Sequence, residues 1–209
     1  MILRDALEGR LDDPLYAVVF VTNAIETVAE LVRGIVVKQI PVDISMEDVE
    51  PRGAFFGDLN KAVQEYENLS DSMIHRELAP AQGLSRFIWT LPQKFTIVST
   101  NTNMWIKPLI DDLKEKYNLF DGKDIDIVDL GQFADVKMVR QIRCVNKISG
   151  VLPPCQRRGK KASLGSLAAD YGIFRAHYRE TKYPFVRAQM ISDVVVKALE
   201  KDLKEEKSE

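Results

Sequence analysis

The densest hydrophobic pattern in the chain lies between Tyr16 and Ile40. Tyr16-Ala17-Val18-Val19-Phe20-Val21 is an unbroken apolar run rich in β-branched and aromatic side chains. A short run of this kind predicts a strand buried on both faces, here over residues 15–22. Thr22-Asn23 breaks the run, and the apolar stretch from Leu31 through Val37 predicts a second strand over residues 29–41. Ahead of both, residues 1–14 read as a short helix or arm, with Leu3, Leu7 and Leu11 on one side and a stop before Pro14. Between Pro41 and Gly57 the pattern is lost in a turn-rich segment carrying Asp43, Glu47, Asp48 and Glu50. Those carboxylates have no spacing that makes them converge, so the segment reads as a solvated loop and not as a metal site.

Helical periodicity takes over further on. Residues 58–78 are predicted helical, with His75 at the surface. Leu84, Phe87, Ile88 and Leu91 fall at i, i+3, i+4 and i+7, one face of a helix. Phe95-Thr96-Ile97-Val98 reads as a short buried strand, followed by the polar break Ser99-Thr100-Asn101-Thr102. Ile106, Leu109, Ile110 and Leu113 then mark an amphipathic helix, which tolerates Pro108 only in its first turn. Ile125 to Leu130 alternates as another strand. Leu164, Leu167, Ala168 and Tyr171 form a helical face closed by Gly172. A last helix starts near Phe185 and turns Ile191, Val194, Val195, Ala198 and Leu199 inward. Strands followed by alternating helices and strands predict an α/β layer fold with a mixed sheet, a third early strand being left open.

Composition narrows the class. The chain has 209 residues, 45% of them apolar, with a formal net charge of −2, so a globular domain is expected and no overall field draws it to nucleic acid or membrane. Two cysteines, Cys144 and Cys155, are too few for a disulfide framework and read as free thiols. With only His75 and His177 besides, a structural zinc site is not expected. No apolar stretch reaches the length of a membrane span, and the acidic N-terminus is unlike a signal peptide. The expected location is cytoplasmic or nuclear. Local charge is less even. Lys137, Arg140, Arg143, Lys147, Arg157, Arg158, Lys160 and Lys161 form a basic run that leads into the helix near Ser163. Such a run supplies cations for phosphates, or it is a solubilising loop.

Taken together, the element order and two local stretches resemble the DnaQ-like 3′–5′ exonucleases of the DEDDh type. Tyr16–Asn23 is similar to the family's first strand, and Ser163–Ile173, SLGSLAADYGI, to the helix before its last motif. The resemblance implies a ribonuclease-H-like fold, with a mixed central sheet flanked by helices, over residues 15–203, between an arm at 1–14 and a charged tail at 204–209. It also implies four carboxylates holding two Mg²⁺ or Mn²⁺ ions, and a histidine acting as base. The motif positions here hold other residues. The first motif, Asp-x-Glu, falls on Val21 and Asn23. The aspartate of the second falls on Ile106, in the stretch Asn101 to Ile106. The third, His-x-x-x-x-Asp, falls on Ala188 and Asp193, so only Asp193 matches.

What the resemblance implies is therefore an exonuclease fold without exonuclease chemistry, needing no cofactor. It would act as an RNA-binding domain or a protein-interaction scaffold, or as a homodimer, in an RNA-processing or RNA-silencing pathway. Trp89, Trp105, Tyr178, Tyr183, Pro184 and Phe185 are candidates for a docking surface as well as for the core. The alternative is an active, Mg²⁺- or Mn²⁺-dependent 3′–5′ exonuclease whose site is rebuilt from Glu26, Glu30, Asp111 or Asp112, with His177 brought in by a loop.

Overall fold

The structure, a computed structural model, describes Leu7 and residues 10–22, 32–43, 45–58, 69–100, 106–118, 120–130, 164–173 and 183–206. Among the described residues, six strands lie in one sheet: β1 (Leu15–Thr22), β2 (Val32–Gln39), β3 (Arg52–Phe56), β4 (Ile74–His75), β5 (Lys94–Ser99) and β6 (Asp124–Asp129). Their order is β4-β3-β2-β1-β5-β6. The β1/β2 and β2/β3 pairs are antiparallel, whereas β3/β4, β1/β5 and β5/β6 are parallel. Four helices are described: α1 (Pro80–Trp89), α2 (Ile106–Tyr117), α3 (Leu164–Asp170) and α4 (Pro184–Glu206). The expected α/β architecture, a mixed central sheet flanked by helices, is therefore present.

β1 lies inside the sheet, and its unbroken apolar run is explained by what covers each face. Leu15, Ala17 and Val19 enter one core with α3 and α4, through Leu164, Leu167, Ala188, Ile191, Val194, Val195 and Ala198. Tyr16 and Val18 enter the other, with Leu84 and Ile88 of α1 and Ile106, Leu109, Ile110 and Leu113 of α2. A strand alternates its side chains, so a residue at every position must be apolar when helices cover both sides. Tyr16 packs edge-on against Phe95 across the β1/β5 pair, with ring centroids 5.9 Å apart.

Local chemistry sets the helix ends. α1 begins with Pro80, where a missing N–H costs nothing. Its last carbonyls are taken by the Thr90 hydroxyl, which donates to Phe87 O at 2.6 Å, and its exit by the Lys123 ammonium, which donates to Leu91 O at 2.7 Å. Pro108 falls within the first turn of α2, where it removes no intrahelical bond. After α3, Gly172 takes φ +70°, and the Ile173 amide donates back to Ala168 O at 2.8 Å, a Schellman-type stop.

Two stretches depart from the expectations. Residues 69–78 are not helical: Asp71–Met73 is a single 3₁₀ turn, and Ile74–His75 is the edge strand β4, paired with Phe55 and Phe56. Ser70 and Ser72 bond each other at 2.9 Å, a local hydroxyl bond of the kind that competes with helix. His75 is consequently half-buried rather than on the surface, its ring stacked on Phe56. The segment after Pro41 ends in β3, which supplies the open third strand through its pairing with β2. Among the described residues, no helix is long and apolar enough to cross a membrane.

Candidate functional site

β1 and β5 run in the same direction, side by side, so their carboxyl ends share one edge of the molecule. Ligands of open α/β sheets are held at that end. The β1/β2 register shifts between Val21 and Thr22, an irregularity with one extra residue on β2. The first turn of α4 lies across the same region. Phe185 packs on Phe55 of β3, with ring centroids 6.0 Å apart. This approach depends on Gly53, where an added Cβ would stand 2.7 Å from the Phe185 ring. Two residues on, the Arg187 guanidinium donates from Nη2 to the Thr100 hydroxyl, at 2.8 Å, just past the end of β5.

The motif positions are distributed unevenly. Val21 packs against the core on the α3/α4 face, and Ala188 is wholly buried in that same core. Ile106 is buried in the other core, beneath the opposite face of the sheet. Asp193 sits on α4 six residues past Arg187 and accepts a hydrogen bond from Gln189 Nε2 at 2.7 Å. Val21 and Ala188 are thus brought into one cluster, and Ile106 is not. Asn23 lies outside the described residues.

The described carboxylates among those that could rebuild a metal site, Asp111 and Asp112, do not converge on Asp193. Asp111 is exposed on α2, and Asp112 is paired with Lys116 at 2.7 Å on that helix, across the sheet from α4. Glu26, Glu30 and His177 lie outside the described residues. Asp129, at the carboxyl end of β6, is buried, but its neighbours Val128 and Leu130 point into the α3/α4 core, so by alternation Asp129 faces away from α4. Among the described residues, no group of three or more His, Cys, Asp or Glu side chains is placed to hold a metal ion.

The entire basic run from Lys137 to Lys161, Cys144 and Cys155, and the aromatic residues Trp105 and Tyr178 lie outside the described residues. Of the remaining docking candidates, Pro184 is buried, Tyr183 and Phe185 are partly buried, and Trp89 is 73% exposed at the end of α1.

Two cationic features had no counterpart in the sequence reading. Arg187 is one, and no spacing rule links it to Thr100, which lies 87 positions away. Burial lowers its pKa from the ordinary guanidinium value. The other is Lys38, on β2, whose side chain is 1% exposed. Its ammonium donates to Asp48 Oδ1 at 2.5 Å and to the Val49 carbonyl at 2.7 Å, tying the acidic segment down onto the sheet. A single lysine inside the apolar run Ile35-Val36-Val37-Lys38-Gln39-Ile40 was the signal that could have revealed it.

No family model and no curated protein matches the sequence. Among solved structures, the chain is similar to a moderately thermophilic exonuclease I from Methylocaldum szegediense, at 15% identity and a TM-score of 0.47, over 90% of this chain and 40% of that one. It is similar to a second exonuclease I, whose structure suggests how processivity is achieved, at 11% identity and a TM-score of 0.49, over 88% of this chain and 40% of that one. A third, an ExoI/SSB-Ct complex, has 14% identity and a TM-score of 0.47, over 91% of this chain and 42% of that one. The chain spans between 40% and 42% of the length of these three.

Proposed function

We propose that the domain is a catalytically inactive 3′–5′ exonuclease-like fold that binds single-stranded RNA without cutting it, within an RNA-processing or RNA-silencing pathway. The observation that supports this most directly is the environment of Val21 and Ala188. Ala188 is buried in the α3/α4 core, and Val21, partly buried near the carboxyl end of β1, packs against the same core. Two divalent ions need several oxygen ligands. Alkyl side chains supply none, and neither position offers an oxygen to hold the ion or the water that it would activate. Position supports the reading as well: β1 is an inner strand, and the first turn of α4 lies over the carboxyl end of the sheet. RNA is favoured as the ligand by the basic run Lys137–Lys161, whose cations can pair with successive phosphates.

A second reading, a docking surface for a protein, has the 73% exposed indole of Trp89 in its favour. One titration separates these readings from the active alternative. Labelled single-stranded RNA is incubated with the protein over a range of Mg²⁺ and Mn²⁺, and binding and length are read together. The expected result is binding that salt weakens, that Arg157→Ala/Arg158→Ala weakens, and that is accompanied by no shortening. Metal-dependent shortening from the 3′ end overturns the proposal in favour of an enzyme with relocated carboxylates. An absence of binding overturns it in favour of the protein-docking reading.

A further inference from the structure

Arg187 is placed at a cost. It lies in the first turn of the 23-residue helix α4, where the helix dipole disfavours a cation and favours an anion. No acidic residue shares that turn. The side chain is partly buried, and burial of a guanidinium carries a desolvation penalty unless an anion pairs with it. Among the described residues, the side chain that it bonds is Thr100, through a neutral hydroxyl. Asp193, the first acid along the same helix, is about 9 Å further along the axis and accepts from Gln189. One N–H of five is therefore answered by a described side chain, and by no charge.

The surroundings fit a phosphate. A guanidinium offers two parallel N–H groups in a fixed fork that matches two oxygens of a phosphate. The Thr100 hydroxyl accepts from Arg187, so its own proton is free to be donated to a third oxygen. Thr100 itself is 6% exposed and lies just past the end of β5. A tetrahedral oxyanion can answer both donors together. We propose that Arg187 and Thr100 form a phosphate-binding site at the carboxyl end of β5, which takes the phosphate of a nucleotide or free inorganic phosphate. As a seat for one phosphate of an RNA strand, it rests on the RNA-binding reading above.

The test measures binding of inorganic phosphate, of uridine 5′-monophosphate, of uridine and of a short single-stranded RNA by calorimetry. It is run in low salt with a chelator present, on the full chain and on Arg187→Gln, Arg187→Lys and Thr100→Val. Thermal unfolding of each variant is recorded alongside. The monophosphate is expected to bind the native chain and uridine is not. Arg187→Gln is expected to weaken the monophosphate roughly ten- to hundredfold, the loss of a charge-assisted bond. Arg187→Lys keeps the charge and loses the fork, so it should fall between the two. Should Arg187→Gln fail to fold, the lysine and valine variants carry the same comparison. Inorganic phosphate binding as tightly as the monophosphate assigns the site to the free anion. Monophosphate binding unchanged in all folded variants overturns the site. RNA binding that is lost in Arg157→Ala/Arg158→Ala but unchanged in the Arg187 variants overturns the site and leaves the RNA reading standing. Monophosphate binding without any RNA binding does the reverse.

Discussion

Lys38 and Asp48 form an ion pair that can be broken from either side, and the two breaks are not equivalent. The lysine side chain is 1% exposed, whereas the aspartate side chain is 64% exposed. Lys38 projects from the same face of β2 as Val36 and Ile40, opposite Ala17 of β1. In Lys38→Met the new side chain is unbranched and of similar length, and it enters an apolar site. Asp48 is left at the surface, where water solvates it. The change removes one half-exposed pair and one desolvated charge, terms of opposite sign, and the net effect should stay within about 1 kcal/mol. Asp48→Ala does the opposite. It keeps the buried ammonium and removes its charged acceptor, leaving only the Val49 carbonyl. Stranding a buried charge costs about 3–5 kcal/mol in a closed interior. Here water can enter from the side that Asp48 vacates, which reduces the cost to about 2–3 kcal/mol.

Thermal and urea unfolding measure both changes. For a chain of this size each kcal/mol shifts Tm by about 2–4 °C, so Asp48→Ala should lower Tm by about 4–12 °C, and Lys38→Met should move it by less than about 4 °C. The double variant should resemble Lys38→Met, because no charge is left buried once the lysine is gone. If Asp48→Ala proves milder than Lys38→Met, or if the two losses simply add, the ammonium does not depend on that carboxylate and the argument fails.

Three further substitutions follow from the packing. At Gly83 of α1, a Cβ would stand 2.0 Å from Cδ1 of the buried Phe56 ring. Alanine should therefore destabilise, since overpacking of about 1–3 kcal/mol outweighs a helix-propensity gain of about 1 kcal/mol; a raised Tm would mean that the ring yields freely. At Gly172 the backbone holds φ +70°, so Gly172→Ala should cost about 1–2 kcal/mol in a urea titration, and an unchanged midpoint would contradict the left-handed stop after α3. Burial raises the Tyr16 phenol above its ordinary 10.0, the nearby Arg52 opposing the effect in part. Below pH 10.0 both folded and unfolded chains keep that proton; above it the unfolded chain releases it first, so stability falls as pH rises toward the folded value. Tyr16→Phe should leave neutral stability nearly unchanged and flatten part of this alkaline decline, and parallel alkaline profiles for the two chains would refute the assignment.

What could be read from the chain itself was whatever a single element decides for itself. The bounds of β1 follow from an apolar run ended by Thr22-Asn23, and the inward residues of α4 follow from period alone. β4 could not be found this way. Ile74 and His75 are a strand because Phe55 and Phe56 lie alongside, almost 20 positions back, and nothing in Asp71-Ser72-Met73 announces that partner. β3 is a strand for a similar reason, its Gly53 and Phe55 facing Val36 and Gly34 of β2. The Arg187–Thr100 bond joins the two ends of the domain's second half and is visible only once the sheet has aligned β5 with the start of α4.

In the proposed reading, that bond also separates binding from cutting at this end of the sheet. A metal ion in such a position does two things for a phosphodiester: it neutralises the oxygens, and it lowers the pKa of a bound water until hydroxide is available at neutral pH. A guanidinium can do only the first. It donates hydrogen bonds and charge to a phosphate, but it has no vacant position for a water molecule. Although burial draws its pKa down, it remains a cation at neutral pH and cannot act as a base. Val21 and Ala188, which share the α3/α4 core, contribute neither a metal ligand nor a proton acceptor. In the proposed reading, then, Arg187 preserves the electrostatic half of a nuclease site and omits the half that makes the nucleophile. Such a site would hold a phosphate and leave its ester bond intact.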